Sequence, residues 1–168
     1  LEGIAMSHLA KVELEEKGYE VELLNADVAP VFASVSREKA DVFMDAWLPV
    51  TMKDYIDQYG DQIEFIGEVY DSARVGLVVP QYVTIDSIGE LAAYKGQFSS
   101  EIVGIDAGAG IMKTTDKAIG DYGLDGYKLL TSSSSTMLAS LQKAMEKEAW
   151  IVITGWTPHW MFDRYPLK

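Results

Sequence analysis

The sequence predicts an α/β fold in which a parallel or mixed sheet is covered by helices. Three observations predict it. Apolar residues recur at helical spacing in several stretches, short β-branched and aliphatic runs fall between them, and glycine or proline marks many of the changes of period. Strand-to-helix alternation repeated in series argues against an all-β barrel or a simple bundle. The 168 residues can bury one moderate core or two small lobes.

In residues 3–17, Ile4, Leu9, Val12 and Leu14 form an apolar helical stripe with Glu13, Glu15 and Glu16 outside it, and Gly18 is the expected stop. Tyr19, Val21 and Leu23 then alternate with Glu20 and Glu22, the period of two that marks a strand with one wet face. Residues 26–37 read as helix. Residues 41–47 read as a short buried strand with Trp47 at its mouth, ahead of Leu48-Pro49. A helix over 51–59 is expected to end at Gly60, and 63–69 to be a strand or an extended connection.

The aliphatic run 75–79 predicts a strand before Pro80. Gln81-Tyr82-Val83-Thr84 is expected to be extended and to cross between lobes, and 86–94 to be a helix capped by Asp86. The second half has sharper contrast: strands at 102–105, 127–130 and 150–154, helices at 112–122 and 134–148, and a turn over 106–110. Met137, Leu138, Leu141, Ala144 and Met145 repeat at near-helical spacing while Lys143 and Lys147 take the wetter side. Ser132 to Ser135 lacks a nucleophile elbow and reads as a turn and helix cap. A leading helix without a preceding strand, and a last stretch without a closing element, raise the expectation of a fragment whose apolar surface is left uncovered.

Fourteen Lys and Arg against twenty-six Asp and Glu give a formal charge of −12, a field that repels nucleic acid and anionic membrane surfaces and favours a cation. The apolar share of 48% is too high for a disordered tail. With no cysteine, disulfides, thiolate zinc sites and cysteine nucleophiles are excluded.

The sharpest local pattern is Thr154-Gly155-Trp156-Thr157-Pro158-His159-Trp160, directly after a predicted strand, where open α/β sheets carry ligand contacts. With Trp47 it puts indole rings at two strand mouths. Indole faces attract cations that cannot donate hydrogen bonds, quaternary ammonium above all, but Trp47 and Trp156 can equally fill core or interlobe space. Trp150 reads as core, and Trp160 as a shelf for the site or a packing residue. His159 can donate to a carboxylate or pin a loop. The amides of Gly3 and Ile4, at a helix start, can receive a carboxylate or simply begin a helix. Asp106 and Gly108, in the turn before a helix, are candidates for a pocket wall or for turning alone; their spacing matches neither a phosphate loop nor a dinucleotide motif. Asp41 and Asp45 can form an acidic mouth around Trp47 or serve solubility.

Taken in order, Glu2-Gly3-Ile4-Ala5, the stretch from Asp41 to Pro49, Val78-Val79-Pro80, Gly104 to Ile111, and Gly155-Trp156-Thr157-Pro158-His159-Trp160 resemble the glycine betaine binding component of ATP-driven bacterial transporters, over nearly the whole chain. The resemblance implies a two-lobed α/β fold of the type II periplasmic-binding-protein kind, incomplete in this chain. Residues 1–79 would be a portion of the first lobe, 80–155 the second lobe, and 156–168 a hinge or return segment. It implies that Trp47 and Trp156 contribute to an aromatic cage around trimethylammonium and that the Gly3 and Ile4 amides receive the carboxylate. Family members begin earlier with a strand and run longer, carrying a further cage aromatic and a carboxylate-binding histidine that Trp160 and His159 do not replace. A further chain segment or a complementary chain is therefore expected. The implied function is noncatalytic, extracytoplasmic capture of glycine betaine or a related osmolyte by lobe closure, and delivery to the membrane permease. No cofactor or metal is expected. From the residues alone, two other readings stay open: a small-molecule enzyme using His159 with Asp45 or Asp106, and a noncatalytic domain whose tryptophans pack a protein partner.

Overall fold

In a computed structural model that describes residues 2–168, the first helix, α1 (Glu2–Glu16), stops where the sequence predicts. Gly18 adopts a φ of 89°, which a side chain would strain, and the amides of Gly18 and Tyr19 reach back to the carbonyls of Glu15 and Leu14 at 3.0 and 3.1 Å. By its contacts the chain divides into two units, Leu1–Ser72 and Ala73–Lys168.

The first unit adds α2 (Val28–Val35), α3 (Lys53–Tyr59) and a 3₁₀ turn (Gly60–Gln62). The strands expected at 19–23 and 41–47 are not formed, and 63–69, expected as a strand or an extended connection, is a connection without a ladder. Alternation gives a segment a dry face and a wet face, but a strand also needs a neighbour for its amides and carbonyls, and these stretches have no ladder. Many of their apolar side chains lie outside: Ile66 is 87% exposed, and Tyr19, Val42 and Phe65 are exposed too. Helix α1 likewise buries none of its described residues, leaving Ile4, Leu9 and Val12 in solvent. The core of this unit is small. Phe32 of α2 is buried, stacked on Tyr55 of α3 at 5.0 Å and edge-on to Phe43 at 5.4 Å.

The second unit holds a mixed sheet, the α/β arrangement that the alternation predicts. Its strands are β1 (Arg74–Val78), β2 (Glu101–Val103), β3 (Lys128–Leu130) and β4 (Ile153–Thr157), in the order β1-β4-β2-β3. Strand β2 runs parallel to β3 and β4, whereas β1 is antiparallel to β4, with Leu77 opposite Thr154 and Val75 opposite Trp156. The parallel strands are joined through α4 (Gly110–Asp121) and α5 (Ser134–Glu146), and α6 (Met161–Arg164) follows β4. Ile102, Val152, Leu91, Phe98 and Leu124 form the core, and the Tyr127 hydroxyl donates to the Leu91 carbonyl at 2.9 Å. Glycine is needed at Gly155 because a Cβ there would fall 2.9 Å from Met161 Cε and closer still to Val78.

Three local expectations change. Residues 81–83 form a turn, with the Val83 amide on the Pro80 carbonyl at 3.0 Å; a proline pushes the residue before it, not those after it, toward extended backbone. The segment Ile88–Tyr94 is a 3₁₀ helix, and Ser87 with Glu90 closes its start where Asp86 was expected to. The Glu90 carboxylate accepts from the Ser87 hydroxyl at 2.8 Å and from the Ser87 and Asp86 amides at 2.9 and 3.1 Å, which holds it below the usual carboxylate range. Strand β4 begins at Ile153 instead of 150, because Trp150 packs against Phe98 and Tyr94 at centroid distances of 5.2 and 5.4 Å ahead of the ladder. The serine run behaves as read: Ser133 accepts from the Thr136 amide at 3.2 Å at the start of α5. Among the described residues, no helix is long and apolar enough to cross a membrane.

Candidate functional site

In the first unit, Gly3 and Ile4 lie in the first turn of α1, where an α-helix has amides without a carbonyl four residues back. Against this turn sits Asp45. A Cβ on Gly3 would fall 2.8 Å from Asp45 Cβ and closer still to its carboxyl group, so only glycine admits this approach. The same carboxyl accepts the indole N–H of Trp47 at 2.7 Å. Burial raises the Asp45 pKa, the Trp47 bond acts to lower it, and the neighbouring Glu2 charge raises it again.

Trp47 does not leave a strand, as the sequence suggested, because residues 41–47 form none. It is instead fixed by the turn that follows. Its carbonyl accepts from the Thr51 hydroxyl at 2.9 Å and the Met52 amide at 3.1 Å, while its amide points at the Met52 sulfur at 3.3 Å. Gly3, Asp45 and Trp47 thus form one cluster, and Asp41 is exposed.

In the second unit, Trp156 lies inside β4 and not beyond it, on the strand face shared with Thr154, whose hydroxyl points at Met137 of α5 at 3.5 Å. Only 8% of Trp156 is exposed, and its buried indole nitrogen has no hydrogen-bond partner within the protein. Such an orphan donor forgoes about 1–3 kcal/mol. Its ring meets His159 edge-on at 4.9 Å and 88°. His159 Nδ1 accepts the Met161 amide at 3.1 Å, so the neutral ring carries its proton on Nε2 and the side chain pins the start of α6. Trp160, 40% exposed, follows His159 at 5.5 Å, and the Arg164 guanidinium lies 5.9 Å from its ring centroid. A cation of this chain therefore already occupies that indole.

Asp106 and Gly108 form the expected turn ahead of α4, with the Ala109 amide on the Asp106 carbonyl at 3.0 Å. Both are exposed, and a Cβ on Gly108 would meet nothing within 4 Å, so no close approach requires a glycine there. A cavity of about 260 Å³ in the second unit is walled by Leu77, Ile85, Ile88, Leu91 and Val152, with Asp86 and Lys168 among its polar residues. It contains none of the sequence-predicted site residues and no aromatic ring. Of the acidic mouth that the sequence offered around Trp47, Asp45 is the carboxyl that takes the indole N–H, a bond the residue pattern did not name. The available signal was an acid two residues before a tryptophan, close enough in sequence for a carboxyl to reach the indole N–H.

All 168 residues match the model of the substrate binding domain of ABC-type glycine betaine transport systems. The glycine betaine/carnitine transport binding protein GbuC of Listeria monocytogenes is 45% identical over 102 residues, which are 60% of this chain and 32% of that protein. The crystal structure of the glycine betaine, L-proline transporter's binding protein ProX from Borrelia burgdorferi superposes with a TM-score of 0.95 at 35% identity, over 99% of this chain and 63% of the other. Lactococcal OpuAC, in its closed-liganded conformation complexed with glycine betaine, gives 0.91 at 37% identity, over 98% of this chain and 63% of the other. A choline binding protein complexed with choline gives 0.84 at 27% identity, over 92% and 56%. The chain thus spans just under two thirds of the length of the first two solved relatives. It belongs to the family of substrate binding domains of ABC-type glycine betaine transport systems.

Proposed function

We propose that this chain is a recognition portion of a noncatalytic, extracytoplasmic receptor that captures glycine betaine or a related quaternary-ammonium osmolyte and delivers it to the membrane permease of an ABC transporter. The observation that carries the reading is its likeness over 98% of its length, at 37% identity, to a protein complexed with glycine betaine. In this reading the Trp47 and Trp156 rings receive the trimethylammonium group and the Gly3 and Ile4 amides receive the carboxylate. A cation–π contact contributes on the order of 0.5–1 kcal/mol when exposed and about 2 kcal/mol or more when desolvated, so a few matched faces separate a methylated cation from a strongly hydrated amine. No bond of the ligand changes.

Within the complete receptor, residues 1–79 would belong to the first lobe, 80–155 would form the second, and 156–168 would be the hinge or return segment. His159 is assigned a supporting role, since its Nδ1 lone pair is engaged by the Met161 amide in place of a substrate proton. Further chain beyond these residues would supply the remaining cage contacts.

The test is titration of the full-length protein with glycine betaine, followed by tryptophan fluorescence and calorimetry. Glycine betaine is expected to shift the emission and to be recovered unchanged. Trp47→Ala and Trp156→Ala should each weaken binding about tenfold or more. Parental affinity in both folded variants would remove these residues from the site.

A further inference from the structure

We propose that Asp45 is a positioning residue for ligand recognition, which fixes the Trp47 indole by its Nε1–H and ties it to the first turn of α1. The proposal rests on the reading of Trp47 as a contact of the trimethylammonium group. Its carrying observation is geometric: one carboxyl group accepts the Trp47 N–H at 2.7 Å while packing against the Cα of Gly3.

An indole ring on a stretch without a strand ladder has few restraints. Residues 41–47 lack one, and the turn after Trp47 holds only its main chain. The side-chain torsions are restrained by the Asp45 bond, which holds the ring by its N–H edge, and such an in-plane bond does not itself cover either face. Such preorganisation spares the rotamer entropy that a free ring would lose on binding. The packing of Asp45 on Gly3 relates the cation contact to the amides proposed for the carboxylate. A carboxyl group on this edge therefore serves the cation without itself touching it.

The experiment is a mutant cycle in the full-length protein, with glycine betaine affinity measured by calorimetry and the Trp47 indole N–H resonance followed by NMR. Asp45→Ala is expected to weaken binding about tenfold, the scale of one hydrogen bond, and to move the indole N–H resonance. Asp45→Asn keeps an oxygen acceptor of the same shape and should stay within a few-fold of the parent. The W47F background has a ring but no N–H, so adding Asp45→Ala there should cost no further affinity. An equal loss in both backgrounds would overturn the proposal, because Asp45 would then act on the ligand or on folding by another route. Parental affinity of Asp45→Ala in the original background would overturn it as well. The underlying reading fails separately: Trp47→Ala would then bind glycine betaine as the parent does.

Discussion

At the scale of single residues, Asp45 links stability to pH. Burial holds its carboxyl above the ordinary range, so the folded protein retains a proton that the unfolded chain has already released. The stability linked to that proton is complete below the unfolded value, about 3.9, and is lost as pH rises through the elevated folded value. Asp45→Asn cannot ionise and escapes this loss. The stability of the parent relative to D45N should therefore fall as pH climbs from below the ordinary carboxylate range, as read by urea unfolding at several pH values. A difference that stays flat with pH would contradict it. The identity of Trp47 and Trp156 as candidates was legible from the motif stretches that carry the family resemblance, whereas the carboxyl that holds Trp47 required the fold, because two residues of separation do not say which way either side chain points.

At the scale of elements, the sequence was most readable where each signal is local. Gly18 stops α1 through its own positive φ, and Ser133 caps α5 with its own hydroxyl. It was least readable in the first unit, where the alternation at Tyr19, Val21 and Leu23 promised a strand but pairing needs a neighbour that periodicity does not name. Strand β4 shifted for a related reason: Trp150 is consumed by contacts with Phe98 and Tyr94, and the ladder begins only at Ile153. Gly155 shows how tightly that strand is set. Gly155→Ala would press a methyl group on Val78 and Met161, and overpacking of this kind should cost about 1–3 kcal/mol in urea unfolding of the full-length protein. Unchanged stability would mean that β1 and α6 yield more readily than their close packing implies.

At the scale of the whole molecule, the net charge of −12 disfavours anionic partners but has no methyl-group geometry, and salt screens it over about 8–10 Å. Selectivity must come from short-range surfaces. The α/β class was legible because strand and helix periods alternate so plainly from residue 74 onward, and the mixed sheet follows them. The central claim is that indole faces recognise a methylated cation. The most direct measurement compares glycine betaine with tert-butylacetate, which has the same shape and carboxylate but a neutral carbon in place of the quaternary nitrogen, by calorimetry on the full-length protein. The account predicts that glycine betaine binds at least about tenfold more tightly. Equal affinity for the two would contradict it, since shape and carboxylate alone would then explain binding.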